Sequence, residues 1–212
     1  MSAASSSQAP SIQRDLATRI GGWLFRHRTA APLPIAIAVL TLRVGEAAPN
    51  RWLVAAGLAL TAAGELMRVW AVRHIGTISR TRSDRLGPLV ASGPFAFVRN
   101  PLYIGNIALW TGFAITARLL WLAPLVIALL GAAYHAMVRW EEELLESRLG
   151  DTYRAYALRV PRWVPTTRAR LWPGLRRGSA RRFSWGDTLF SERGTLMAIA
   201  AGYALIWFKL KT

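Results

Sequence analysis

The chain has 212 residues, of which 53% are hydrophobic, and it carries 27 Lys plus Arg against 11 Asp plus Glu, a formal charge of +16, and no cysteine. Apolar residues this abundant and this clustered exclude an ordinary soluble domain, and the missing cysteine excludes disulfides, a thiolate zinc site and a cysteine nucleophile. The basic excess suits nucleic acid or an anionic membrane surface; the hydrophobic runs decide for the membrane, and no nucleic-acid-binding module is visible.

Residues 1–10 are rich in Ser and Ala and read as a disordered tail. From Ser11 to Arg28, Ile12, Leu16, Ile20, Trp23 and Leu24 recur at near-helical spacing among Arg14, Arg19, Arg26 and Arg28. That pattern predicts a helix lying in the membrane interface. A first span is expected over Ala31 to Ala47 and a second over Trp52 to Val72, turning at Pro49 and Asn50. Arg43, Glu46, Glu65 and Arg68 would be costly against lipid, so they should snorkel, pair or face the bundle interior. Arg73 to Arg99 reads as a basic loop on the cytoplasmic side, with Arg80, Arg82, Asp84 and Arg85 at its centre.

Leu89 to Gly105, LVASGPFAFVRNPLYIG, reads as an ordered elbow at the mouth of the next helix, because Pro94 and Pro101 fix φ and bias the residues before them out of the α region. Pro101 suits the first turn of a third span running to Ala117. A fourth helix starts near Leu120 and continues past the bilayer to Leu149, with Gly150 as its cap. A short helix over Asp151 to Val160 carries Tyr153 and Tyr156, and an Arg- and Trp-rich segment with Trp163, Trp172, Phe183 and Trp185 suits the headgroup level. A last apolar run, Gly194 to Phe208, is short for a span but long enough to cross with Trp207, Lys209 and Lys211 as anchors. The expected fold is therefore all-α: a polytopic membrane helical bundle of about five transmembrane helices with a cytoplasmic-side cofactor pocket. Residues 1–28 form the tail and interfacial helix, and residues 29–212 a single membrane-embedded domain with its motif core at 89–165. No internal repeat is evident, which leaves inverted-repeat transporter architecture unsupported.

His135, Arg139 and Glu142 lie four and three residues apart, along one helix face at the expected bilayer boundary, with Glu141 on an adjoining face. Taken alone, Glu141 to Glu143 is as simply a solvated acidic turn paired with Arg139 and Arg148, and His135 an interior histidine.

The elbow followed by EEELLESRLGDTYRAYALRVPRWVP resembles the signature of the integral-membrane methyltransferases related to isoprenylcysteine carboxyl methyltransferase and phosphatidylethanolamine N-methyltransferase. That signature runs Gly-Pro-Tyr, Arg-His-Pro-x-Tyr, a Glu-Glu pair, Gly, two spaced Tyr and Val-Pro-Arg, and the resemblance covers Leu89 to Pro165. It implies S-adenosylmethionine as cofactor, enclosed by Arg99, Asn100, Pro101 and Tyr103, with Glu141 and Glu142 at its polar end and Leu89 and Val90 by the adenine. It further implies Arg159 or Arg162 as a substrate-side cation, with no metal; together with the helix-face reading, Arg99, Tyr103, Glu142 and His135 are the candidate catalytic groups and Arg139 a further candidate for the substrate side. Asn100 stands where the family has His, and Phe95 where it has Tyr; Asn donates a hydrogen bond but does not titrate near neutrality, which excludes acid or base work there.

The resemblance points to methyl transfer onto a membrane-embedded lipid or lipid-modified substrate, with carboxyl methylation of the isoprenylcysteine type preferred over phospholipid N-methylation. An NADPH-dependent reductase like the membrane sterol reductases is the alternative from another class. The expected partners are membrane lipids and a lipidic or prenylated substrate, with neither nucleic acid nor an obligate protein partner. The expected location is integral to the membrane and multi-pass, with the active site facing the cytoplasm.

Overall fold

The computed structural model describes residues 16–76, 89–166 and 183–212 and is helical throughout them, with no strand. Seven α-helices follow one another: α1 (Leu16–Arg26), α2 (Leu33–Thr41), α3 (Arg51–Ile75), α4 (Pro101–Thr116), α5 (Leu122–Leu149), α6 (Asp151–Ala157) and α7 (Trp185–Lys211), with a 3-10 turn at Gly93–Ala96 in the elbow. The tail, the centre of the basic loop at Arg80 to Arg85 and the Arg-rich stretch around Trp172 lie outside the described residues.

Helix boundaries follow local chemistry. Asn50 caps α3 by accepting from the Trp52 amide at 2.8 Å. Pro101 opens α4, and Gly150, at φ +52°, ends α5 in the left-handed region that glycine tolerates. Ser184 accepts from the Asp187 amide at 3.0 Å and donates to its carboxylate at 2.7 Å, a reciprocal cap that starts α7 nine residues before its apolar run.

Two of these helices, α3 and α5, are long and apolar enough to cross a membrane. The first expected span is corrected: the helix there is α2, nine residues and roughly 13 Å long, too short for a bilayer core. It stops at Thr41, and the chain beyond turns to place Glu46 in ion pairs with Arg118 and Lys209 and Arg43 in hydrogen bonds to Lys209 O and Thr212. The expected interfacial helix is α1, and it packs on α5 so closely that a Cβ on Gly21 would fall 2.0 Å from the Ala136 carbonyl oxygen. Amphipathic periodicity is the same whether the apolar stripe meets lipid or a neighbouring helix.

The pair α3 and α4 forms the bundle's tightest interface. A Cβ on Gly64 would lie 2.5 Å from Gly105 O, and one on Gly112 would lie 2.3 Å from Thr61 Oγ1, so the two backbones touch where side chains are missing. Val126, Leu130, Tyr134 and Met137 of α5 bury against Leu109 and Phe113 of α4 and Ile206 of α7. Leu66, Ile127, Leu129, Met197 and Leu205 stay exposed on the outer faces, a surface suited to lipid.

At one end of the bundle, where α2 and α7 finish and α4 turns into α5, Glu46 accepts from Arg118 at 2.8 Å and pairs with Lys209 at 3.2 Å. Lys209 also donates to the Val39 and Leu42 carbonyls that end α2, and Arg43 donates to Lys209 O and Thr212. The opposite end, where α3 and α5 finish and α4 and α7 begin, remains open as a cavity.

Candidate functional site

The cavity has a volume of about 880 Å³, toward the upper end of the ~300–1,000 Å³ range of small-molecule sites. The elbow forms one wall and the C-terminal half of α5 another. Three backbone and side-chain bonds tie the elbow to the segment after α6: Arg99 N donates to Pro161 O at 2.9 Å, Asn100 Nδ2 to Arg162 O at 3.1 Å, and Thr166 N to Phe97 O at 2.9 Å. Tyr156 closes the seam by donating to Phe95 O at 2.8 Å. Thus Asn100, where the family carries His, serves as a donor that fixes the elbow to the Val-Pro-Arg segment.

The polar end of the cavity is organised on Glu142. Arg99 Nη1 reaches its Oε1 at 2.9 Å, and Arg162 grips it with Nε on Oε1 at 3.1 Å and Nη2 on Oε2 at 2.6 Å. These bonds raise Arg162 above its usual pKa, the hydrogen bonds to the carboxylate being the chief cause. Tyr153 sits beside them, its hydroxyl pushed up to about 12, first by burial and then by the Glu142 charge. One α5 residue earlier, Glu141 accepts from the Tyr103 hydroxyl at 3.0 Å, and Tyr103 stacks on Tyr134 with ring centroids 4.7 Å apart. Arg28, from the turn after α1, lines the same end.

Of the residues singled out from sequence, Leu89, Val90, Arg99, Asn100, Pro101, Tyr103, Glu141 and Glu142 all line this cavity. Arg162 joins them through Glu142. His135 and Arg139 do not: both are exposed on α5, and His135 lies against Trp163, whose Nε1 is 3.4 Å from its Nδ1. Arg159 is exposed and donates to Ala155 O. Of the face shared by His135, Arg139 and Glu142, only Glu142 lines the cavity, while the other two are exposed.

Several lining residues were not legible as site residues. Arg28 was read as an interfacial cation, and Asn106 was passed over although it follows Tyr103 by three residues on the same helix face. Glu192 and Thr195 precede or open the last apolar run, and only the charge of Arg68 inside a span signalled that a partner was needed.

The donor set suits a ligand bearing both an ammonium and a carboxylate. Arg99 Nε is buried with no hydrogen-bond partner among the described residues, a donor free for an anion. The Glu141 and Glu142 carboxylates offer acceptors for a cation, and Val72, Ile75, Phe95 and Leu102 supply apolar wall. Among the described residues, no group of three or more His, Asp or Glu side chains is placed to hold a metal ion.

Residues 52–152 match the family model of phospholipid methyltransferases, which takes in α3, the elbow, α4 and α5. The chain is also 27% identical over 152 residues to the nickel-cobalt-cadmium resistance protein NccN of Alcaligenes xylosoxydans xylosoxydans, covering 69% of this chain and 68% of that one. It is 28% identical over 170 residues to the cobalt-zinc-cadmium resistance protein CzcN of Cupriavidus metallidurans, covering 76% and 74%. No solved structure matches the chain.

Proposed function

We propose that this chain, whose residues 52–152 match the family model of phospholipid methyltransferases, transfers a methyl group from S-adenosylmethionine to a membrane-embedded lipid or lipid-modified acceptor. The observation that supports it best is the Glu142 cluster: a carboxylate held by Arg99 and Arg162, beside a second carboxylate on Tyr103, at one end of a cavity of about 880 Å³.

In this account Glu141 or Glu142 takes the cofactor's ammonium, and the unpartnered Arg99 Nε takes its carboxylate. Leu89 and Val90 lie along the adenine. Arg162 is a positioning residue that fixes the Glu142 rotamer from the far side. When bound, the cofactor supplies an electrophilic methyl group for in-line displacement, whose needs are alignment and exclusion of water. Tyr103 and Tyr134 provide a stacked wall that serves both needs. The acceptor's chain enters from the bilayer and the cofactor from the basic, cytoplasmic side.

Purified protein in detergent, given methyl-labelled S-adenosylmethionine and a membrane lipid extract, should place label in the organic phase. Label that stays in the aqueous phase with every extract contradicts the proposal. Lability of the product to mild base separates a methyl ester from N-methylation.

A further inference from the structure

His74 stands in the last turn of α3, between Val72 and Ile75, both of which line the cavity. A histidine at a helix C-terminus is favoured as a cation even in solvent, yet this one is buried, at 7% exposed, and turned toward the elbow. Its Nδ1 is hydrogen-bonded to Ser92 Oγ at 3.0 Å. The next residue, Gly93, has φ +60°, and a Cβ built on it would fall 2.4, 2.5 and 2.6 Å from His74 Cδ2, Nε2 and Cε1. Nearly equal distances to three ring atoms put that position over the face of the imidazole, so the elbow backbone rests on the ring. Glycine is required there twice, by the left-handed backbone and by the missing space.

The two contacts fix different things. The bond to Ser92 sets the rotation of the imidazole, and the ring face then sets how near the elbow comes to α3. Between them lies a slot with Val72 and Ile75 on one side and Leu89, Val90 and Phe95 on the other. On the far side of Gly93, Pro94 O accepts from the amides of Phe97 and Val98 at 3.0 and 3.1 Å, so the turn up to Arg99 moves as one piece. A shift at Gly93 therefore reaches both the apolar slot and the arginine on Glu142.

None of His74, Ser92 and Gly93 lines the cavity, so the histidine acts on it only through the elbow. A side chain that merely filled the gap could be apolar. The bond to Ser92 adds orientation, which a wall that meets a ligand needs and packing alone does not.

We propose that His74 is a positioning residue for the methyl-donor end: by bearing on Gly93 and bonding Ser92 it sets the width of the slot in which Leu89 and Val90 meet the cofactor's adenine. The identity of the ligand rests on the methyl-transfer reading; the spacing of elbow and helix stands on the contacts themselves.

The test is calorimetric titration of the full-length protein in detergent with S-adenosylhomocysteine, with the thermal midpoint measured on the same samples, in wild type, Gly93→Ala, His74→Ala, the double variant and Ser92→Ala. Gly93→Ala sets a methyl against the ring and should weaken affinity about tenfold. In the double variant the methyl takes room the ring has left, and affinity should exceed that of Gly93→Ala alone by at least about threefold, a sign that additive losses cannot give. The midpoint should not recover with it, because alanine at φ +60° stays strained and the buried ring is gone. Should the glycine variants not fold, Ser92→Ala decides: affinity should fall about threefold, and an unchanged affinity overturns the proposal. Additive losses, or affinities that follow the midpoint in every variant, overturn it while leaving the methyl-transfer reading in place. A folded wild type that binds no S-adenosylhomocysteine overturns both.

Discussion

Glu142 does the organising at the scale of single residues, because one carboxylate holds both Arg99 and Arg162, and Arg99 in turn hydrogen-bonds the Tyr153 hydroxyl. The proton on Tyr153 reports on that arrangement. A tyrosine in the unfolded chain loses its proton near pH 10, whereas burial and the Glu142 charge hold it on Tyr153 to about 12. The stability contributed by this group is therefore fully present below pH 10 and is lost as the pH rises through about 12. The tyrosinate absorbance difference between wild type and Tyr153→Phe should appear only toward pH 12; a difference already complete at pH 10 would show an open, solvated site. His135→Ala, at an exposed position outside the cavity, should leave ligand affinity within about twofold, as surface substitutions do. The inward residues were legible as a motif, since Arg99, Tyr103 and the Glu pair keep family order and spacing. His135 was misleading because a three-four spacing defines a stripe and not its facing: a small rotation separates Glu142 in the cavity from His135 against Trp163.

Among the elements, the apposition of α3 and α4 sets the cavity's width. Gly64 and Gly105 place the two backbones in contact just where Arg68 crosses to Asn106. Gly105→Val would put a branched side chain 2.7 Å from both Arg68 Cγ and Gly64 O, with no room to yield on the backbone side. The expected cost is about 1–3 kcal/mol, read as a lower thermal midpoint. An unchanged midpoint would mean that the helices are not held at this distance. The limits of α3, α4 and α5 were close to legible, because Asn50, Pro101 and Gly150 are strong local signals. The shortness of α2 was not: Ala31 to Thr41 is apolar enough to begin a span, and the chain beyond it enters the long-range pairing of Glu46 with Arg118 and Lys209.

Across the molecule, the buried and half-buried ion pairs among the described residues fall into two groups with different fates. Those near Glu46 lock the closed end of the bundle, and those near Glu142 and Arg68 line its open end. The sequence marked Glu65 and Arg68 as residues that must pair or turn inward, and both do so. The second carboxylate on Arg68, Glu192, lies on a helix some 120 positions away, a relation that periodicity does not carry. α7 thus adds to the cavity a wall that the matched segment 52–152 does not supply. The central claim is that the Glu142 end binds the methyl donor, and calorimetry of S-adenosylhomocysteine against wild type and Glu142→Gln, with NADPH as comparison ligand, tests it most directly. One equivalent of S-adenosylhomocysteine should bind wild type, Glu142→Gln should weaken it by about tenfold or more, and NADPH should not bind. Absence of S-adenosylhomocysteine binding to folded wild-type protein, or binding of NADPH alone, would contradict it.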